Sequence, residues 1–120
     1  LRYDRLNKVI IAAMKQSVIA RKPVLNELTE IGDFLKKKHN GHFLKFIAHC
    51  AEGARKNISQ LYSPASNVIC LIGPEGDFTA EEIDQAIKNH FHPVTLGINR
   101  LRTETAGVVS CEIFNFLNGY

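Results

Sequence analysis

The sequence predicts an α/β domain, a mainly parallel sheet with flanking helices. Three observations carry that prediction. Apolar runs of strand length, FLKFIA at 43–48 and VICLI at 68–72, alternate with segments of helical periodicity. The second run stops on Gly73-Pro74-Glu75-Gly76 and is followed by Thr79-x-x-Glu82, a capping box that opens a helix. A short strand at 93–96, Pro93-Val94-Thr95-Leu96, then ends on Gly97 and is again followed by a helix.

The elements follow in order. Residues 4–20 place Leu6, Val9, Ile10, Ala13 and Met14 at helical spacing, with Asp4 as the N-cap and Pro23 just beyond the end. A short helix is expected over 30–38, then a turn at Gly41, then the strand at 43–48. Ser63-Pro64-Ala65-Ser66-Asn67 is a loop by its turn-forming composition. The capping box starts a helix over about 80–90. Residues 103–118 set Ala106, Val109, Ile113, Phe114 and Leu117 on one face of a closing helix.

With 120 residues, 45% of them hydrophobic, the chain has enough apolar material for one core. No stretch approaches the roughly 20 apolar residues of a membrane span. There is no signal-peptide pattern, and the chain begins at Leu1 rather than Met, as expected of a fragment or a processed chain. Three widely spaced cysteines (Cys50, Cys70, Cys111) without a CxxC pair read as reduced thiols of a cytoplasmic protein. Net charge is +3, but it is unevenly spread. Residues 1–60 hold 12 Lys/Arg against 5 Asp/Glu, and residues 61–120 hold 3 against 7. A basic half of this kind attracts a polyanion such as RNA, or it is simply solvated helix surface.

Two strand ends carry unusual chemistry, IGPEG at 72–76 and LGINRLRTETA at 96–106. Neither is a dinucleotide fingerprint or a Walker loop. In a parallel sheet both loops lie at one edge, where they can wall a single pocket. His39, His42, His49 and Cys50 have no usual zinc-ligand spacing, so no metal site is expected. His49-Cys50 follows a strand and is placed at the border of the pocket. Lys36-Lys37-Lys38 reads as solvated surface.

IGPEGDFTAEEI, followed by LGINRLRTETAG, resembles the paired signature of the ribosomal RNA uracil-N3 methyltransferases of the SPOUT superfamily. AMKQS at 13–17, with Arg5 and Lys8 before it, is similar to a helix of that family. The resemblance spans nearly the whole chain. It implies a SPOUT-type domain with a C-terminal deep trefoil knot around residues 97–103, S-adenosyl-L-methionine (SAM) as cofactor, 16S ribosomal RNA or the small ribosomal subunit as substrate, and a homodimer. It also implies that residues 1–120 lack the family's first strand and helix and its N-terminal RNA-binding barrel. Three positions depart from the family: Asp77 stands where Gly is frequent, and Asn99-Arg100 where Arg-Ile is.

On this reading the cofactor-binding residues are Ile72, Gly73, Glu75, Gly76, Leu96, Gly97, Leu101, Arg102, Thr103 and Ala106. Gly73, Gly76 and Gly97 permit close backbone approach, and Ile72, Leu96, Leu101 and Ala106 offer apolar contact to adenine. The catalytic assignments are Arg102, stabilising charge on the uracil, and Glu104, orienting that arginine or taking the proton. Glu104 is equally readable as a carboxylate complementing a helix dipole. Helix 103–118 also carries Val108, Phe116 and Tyr120 partly outside its main stripe, which favours a dimer. Two rivals are a non-catalytic RNA-binding module retaining the knotted fold, and a phosphate-handling enzyme using GPEG as an anion cradle. The latter lacks a lysine in that loop.

Overall fold

A computed structural model describes residues 2–39, 42–50, 56–97 and 100–119. The expected turn at Gly41, the Asn99 departure and Tyr120 lie outside the described residues. The elements run α1 (Tyr3–Ser17), α2 (Ile31–Lys36), β1 (Phe43–Ala48), β2 (Lys56–Asn57), α3 (Ile58–Leu61), β3 (Asn67–Ile72), α4 (Ala80–Lys88), β4 (His92–Thr95) and α5 (Thr103–Leu117).

The strands form one sheet in the order β2-β4-β1-β3. Every pairing among the described residues is parallel, with Ala48 of β1 opposite both Ile72 of β3 and Val94 of β4. Successive side chains of a strand point to opposite faces, so β1 feeds two cores. Ile47 packs with Leu35, Ile83, Ala86 and Phe91 under α2 and α4. Phe46 packs on the other face with Ile58 and Val94, against Ile113, Phe114 and Leu117 of α5. The Phe46 and Phe114 rings stack with centroids 6.0 Å apart. The sheet is therefore sandwiched between α2/α4 and α3/α5, with all four strands aimed at one edge.

Local chemistry sets the helix ends. The hydroxyl of Thr79 accepts from the Glu82 N–H at 3.1 Å, and the Glu82 carboxylate accepts from the Thr79 N–H at 2.8 Å. That reciprocal pair starts α4. The helix stops two residues short of the expected 90 because His90 takes a left-handed conformation (φ 69°). Phe91 N–H then donates to Ala86 O at 2.9 Å, and His90 N–H to Ile87 O at 3.1 Å. This is a Schellman closure, and it turns Phe91 into the core.

Three expectations are corrected. Arg2, not Asp4, is the N-cap of α1, and Asp4 sits in the first turn. No residue of the helix is buried, its apolar stripe included, and Val9 is 58% exposed. Its described tie to the following chain is a hydrogen bond from the Leu28 N–H to the Tyr3 hydroxyl at 2.8 Å. The helix ends at Ser17, three residues short of the expected 20, because Val18 takes a left-handed conformation (φ 56°). Third, β2 and α3 interrupt a segment with no element expected between 48 and 63.

Candidate functional site

Parallel pairing in near-flush register brings the carboxyl ends of all four strands together. Across those ends lies a cavity of about 740 Å³. The first loop contributes Ile72, Gly73, Pro74, Glu75 and Asp77. The second contributes Thr95, Leu96, Gly97, Arg100, Leu101, Thr103 and Ala106. The two loops are fastened directly, the Thr103 hydroxyl donating to the Gly73 carbonyl at 2.8 Å.

The exit of β1 supplies Ala48, His49 and Cys50, and the edge strand β2 supplies Asn57. His49 is buried, whereas Cys50 is exposed. Of these, Asn57 carries no sequence signal, because a two-residue strand is defined only by its pairing to Val94 and Thr95. Asp77 and Arg100 were legible only as departures from a pattern.

Eight of the expected cofactor residues line the cavity: Ile72, Gly73, Glu75, Leu96, Gly97, Leu101, Thr103 and Ala106. Gly76, Arg102 and Glu104 stand outside the lining. Arg102 is the exposed N-cap residue of α5, and Glu104 is exposed in its first turn. Among the described residues, Arg100 is the guanidinium in the lining itself.

The glycines differ in what they do. A Cβ on Gly73 would sit 3.0 Å from the Phe78 ring, so a larger residue there requires that ring to shift. Gly97 has φ +146°, which side chains disfavour, and its loop is pinned by Thr95, whose hydroxyl donates to Gly97 O at 2.6 Å. Gly76 faces open space without a positive φ; the left-handed residue of its turn is Asp77, at φ 66°.

Burial pushes the Cys70 thiol up from 9.0 to about 11, with the neighbouring Cys111 adding to the effect. A thiol held protonated in this way is no nucleophile. Among the described residues, no three His, Cys, Asp or Glu side chains gather as a metal site, and no helix is long and apolar enough to cross a membrane.

A parallel sheet with a cavity of this size across its strand ends, walled by two glycine-bearing loops, defines a small-molecule-binding α/β domain. The family model of the RNA methyltransferase domain matches residues 1–115, and the chain belongs to that family.

A Porphyromonas gingivalis chain described as a probable rRNA-methyltransferase superposes with TM-score 0.91 at 38% identity, over 98% of this chain and 50% of its own. A Neisseria gonorrhoeae ribosomal RNA small subunit methyltransferase E, solved bound to S-adenosyl methionine, gives TM-score 0.87 at 28% identity, over 97% and 48%. The curated Rickettsia conorii enzyme of the same name is 34% identical over 120 residues, 98% of this chain and 48% of its own. The chain thus spans about half the length of these relatives.

Proposed function

We propose that the domain binds SAM in the strand-end cavity, and that the protein methylates N3 of a uridine in 16S ribosomal RNA. The observation that carries this reading is the meeting of the two loops in one cavity, fastened by Thr103 and Gly73, within a chain of the RNA methyltransferase domain family.

The residues fit the cofactor. A volume of about 740 Å³ lies within the roughly 300–1,000 Å³ of ligand pockets. Ile72, Leu96, Leu101 and Ala106 suit an adenine ring. Backbone groups beside Gly73 and Gly97 suit the polar ribose and methionine portions. Bound there, SAM supplies an electrophilic methyl on its sulfonium.

What remains for the protein is placement and charge. Uracil N3 must lose its proton to become nucleophilic, and negative charge then spreads onto the ring oxygens. Arg102, at the start of α5, is assigned to stabilise that charge, with Arg100 as a second guanidinium at the cavity. Glu104 is assigned to orient Arg102 or accept the N3 proton. Arg102 and Glu104 both face solvent, the side from which a polynucleotide must come.

The same reading makes the segment 97–103 and α5 the threaded part of a trefoil knot, and the protein a cytoplasmic homodimer. Support for the dimer comes from Val108 (65% exposed) and Phe116 (80%) on α5, together with the uncovered apolar side chains of α1. Such patches mark interfaces.

The test is calorimetric titration with SAM, joined to a methyl-transfer assay on small ribosomal subunits with the modified nucleotide mapped. The expected result is SAM binding by these 120 residues with poor or no methylation by them alone, and methylation at uridine N3 by the longer gene product. Equal rates for the two would show the additional segment to be dispensable for RNA binding. No heat with SAM would instead leave an RNA-binding module that keeps the fold. Sedimentation equilibrium showing monomer alone at micromolar concentration would overturn the dimer.

A further inference from the structure

The turn after β3 is built around an aspartate. Asp77 N–H donates to Pro74 O at 2.8 Å, closing the turn, and Asp77 itself takes φ 66°. A non-glycine residue at positive φ is uncommon, and Asp and Asn tolerate it best. Both carboxylate oxygens are engaged, and by different parts of the chain. Oδ1 accepts from the Phe78 N–H at 2.9 Å, and Oδ2 accepts from the Cys50 N–H at 2.8 Å, 27 residues away at the exit of β1.

These two bonds tie the cavity walls together. Cys50 and Asp77 both line the cavity. Phe78 packs its ring beside Gly73, 3.0 Å from where a Cβ on that glycine would sit. Gly73 in turn accepts the Thr103 hydroxyl from the start of α5. A continuous run of contacts therefore crosses the strand ends, from β1 through Asp77 and Phe78 to Gly73 and on to α5.

We propose that Asp77 is a positioning residue: it holds the exit of β1 against the exit of β3, so that the cavity is formed before its ligand arrives. The benefit to binding is the avoided ordering of loops, which would otherwise oppose association. The proposal rests on the reading of the cavity as a SAM site, but not on any contact between Asp77 and SAM.

The test compares the parent chain with Asp77→Gly and Asp77→Asn. Glycine accepts the left-handed backbone but removes both acceptors. Asparagine keeps the conformation and a side-chain oxygen able to face Cys50. SAM affinity is read by calorimetry, and exchange of the Cys50 amide by hydrogen–deuterium exchange. Asp77→Gly is expected to weaken SAM about tenfold, equivalent to about 1.4 kcal/mol. It should also speed exchange at the Cys50 amide about tenfold. Asp77→Asn should restore both to within about threefold of the parent, since one acceptor and the backbone conformation remain.

Equal affinity in the parent and Asp77→Gly would overturn the proposal. So would equal weakening in Asp77→Gly and Asp77→Asn, which would assign the effect to charge rather than to the clamp. A parent chain that binds no SAM overturns the cofactor reading instead. The amide measurement then decides the clamp alone, and unchanged Cys50 exchange in Asp77→Gly overturns it.

Discussion

The Thr103 hydroxyl donates to the carbonyl of Gly73 across 2.8 Å, joining the first residue of α5 to the residue that follows β3. The bond spans 30 residues of sequence and is partly buried. Among the described residues it directly links the two loops that wall the cavity.

Removing this donor while keeping its shape tests the link. Thr103→Val leaves a partly buried carbonyl without its partner, a loss of about 1–2 kcal/mol. The variant should unfold at lower urea concentration by that amount and bind SAM several-fold more weakly. Thr103→Ser, which keeps the hydroxyl, should bind within about twofold of the parent. Calorimetry and urea denaturation check both variants.

The glycines of the site should respond differently from one another. Gly97→Val forces a β-branched residue to φ +146°, a strain of about 1–3 kcal/mol in the second loop. It should abolish SAM binding while circular dichroism stays native. Gly73→Ala drives a methyl into the Phe78 ring and should destabilise the fold by about 1–3 kcal/mol. Gly76→Ala meets nothing within 4 Å, so its melting temperature should match the parent. Any loss of SAM affinity in that variant then reports crowding of the ligand itself.

How much of this could be read from the sequence depends on how local the cause is. The capping box at Thr79 and Glu82 was legible because its bonds close within three residues. The pairing of the two loops was legible because parallel strands place their exits at one edge. β2 was not, since it spans two residues and exists through its pairing with β4. The C-terminus of α4 was misjudged because His90, rather than a glycine, takes the left-handed cap. In the same way the aspartate after Gly76, not the glycine, carries the unusual backbone of the first loop. The stripe on α1 had the right period for a helix, but periodicity cannot say what covers the face.

Cys70 gives the fold an alkaline limit. Its thiol is raised from 9.0 to about 11, chiefly by burial and further by Cys111. The unfolded chain therefore loses this proton at lower pH than the folded one. Below pH 9.0 the stabilising contribution is complete, and it is lost as pH rises from 9.0 through about 11. Urea melts across that window should show falling stability in the parent and a flatter profile in Cys70→Ala. Alkylation of the native protein at pH 8 should modify the exposed Cys50 and Cys111 ahead of Cys70.

The roles assigned to Arg102 and Glu104 separate chemistry from cofactor binding. Both side chains are exposed at the start of α5 and stand outside the cavity lining, so neither is needed to wall the cavity. Arg102→Ala should therefore leave the SAM dissociation constant within about threefold, while methyl transfer to small ribosomal subunits falls about 10²–10³-fold, the range for loss of one charge-stabilising donor. Arg102→Lys keeps a positive charge but not the planar fork, and should recover only part of the rate. Glu104→Gln separates its two readings. If the carboxylate orients Arg102 or takes the N3 proton, the rate drops at unchanged SAM affinity. If it only complements the helix dipole, stability falls by about 0.3–1 kcal/mol and the rate per folded molecule is unchanged. An Arg102→Ala variant with full methyl transfer would remove the arginine from the chemistry and leave Arg100 as the guanidinium to test next.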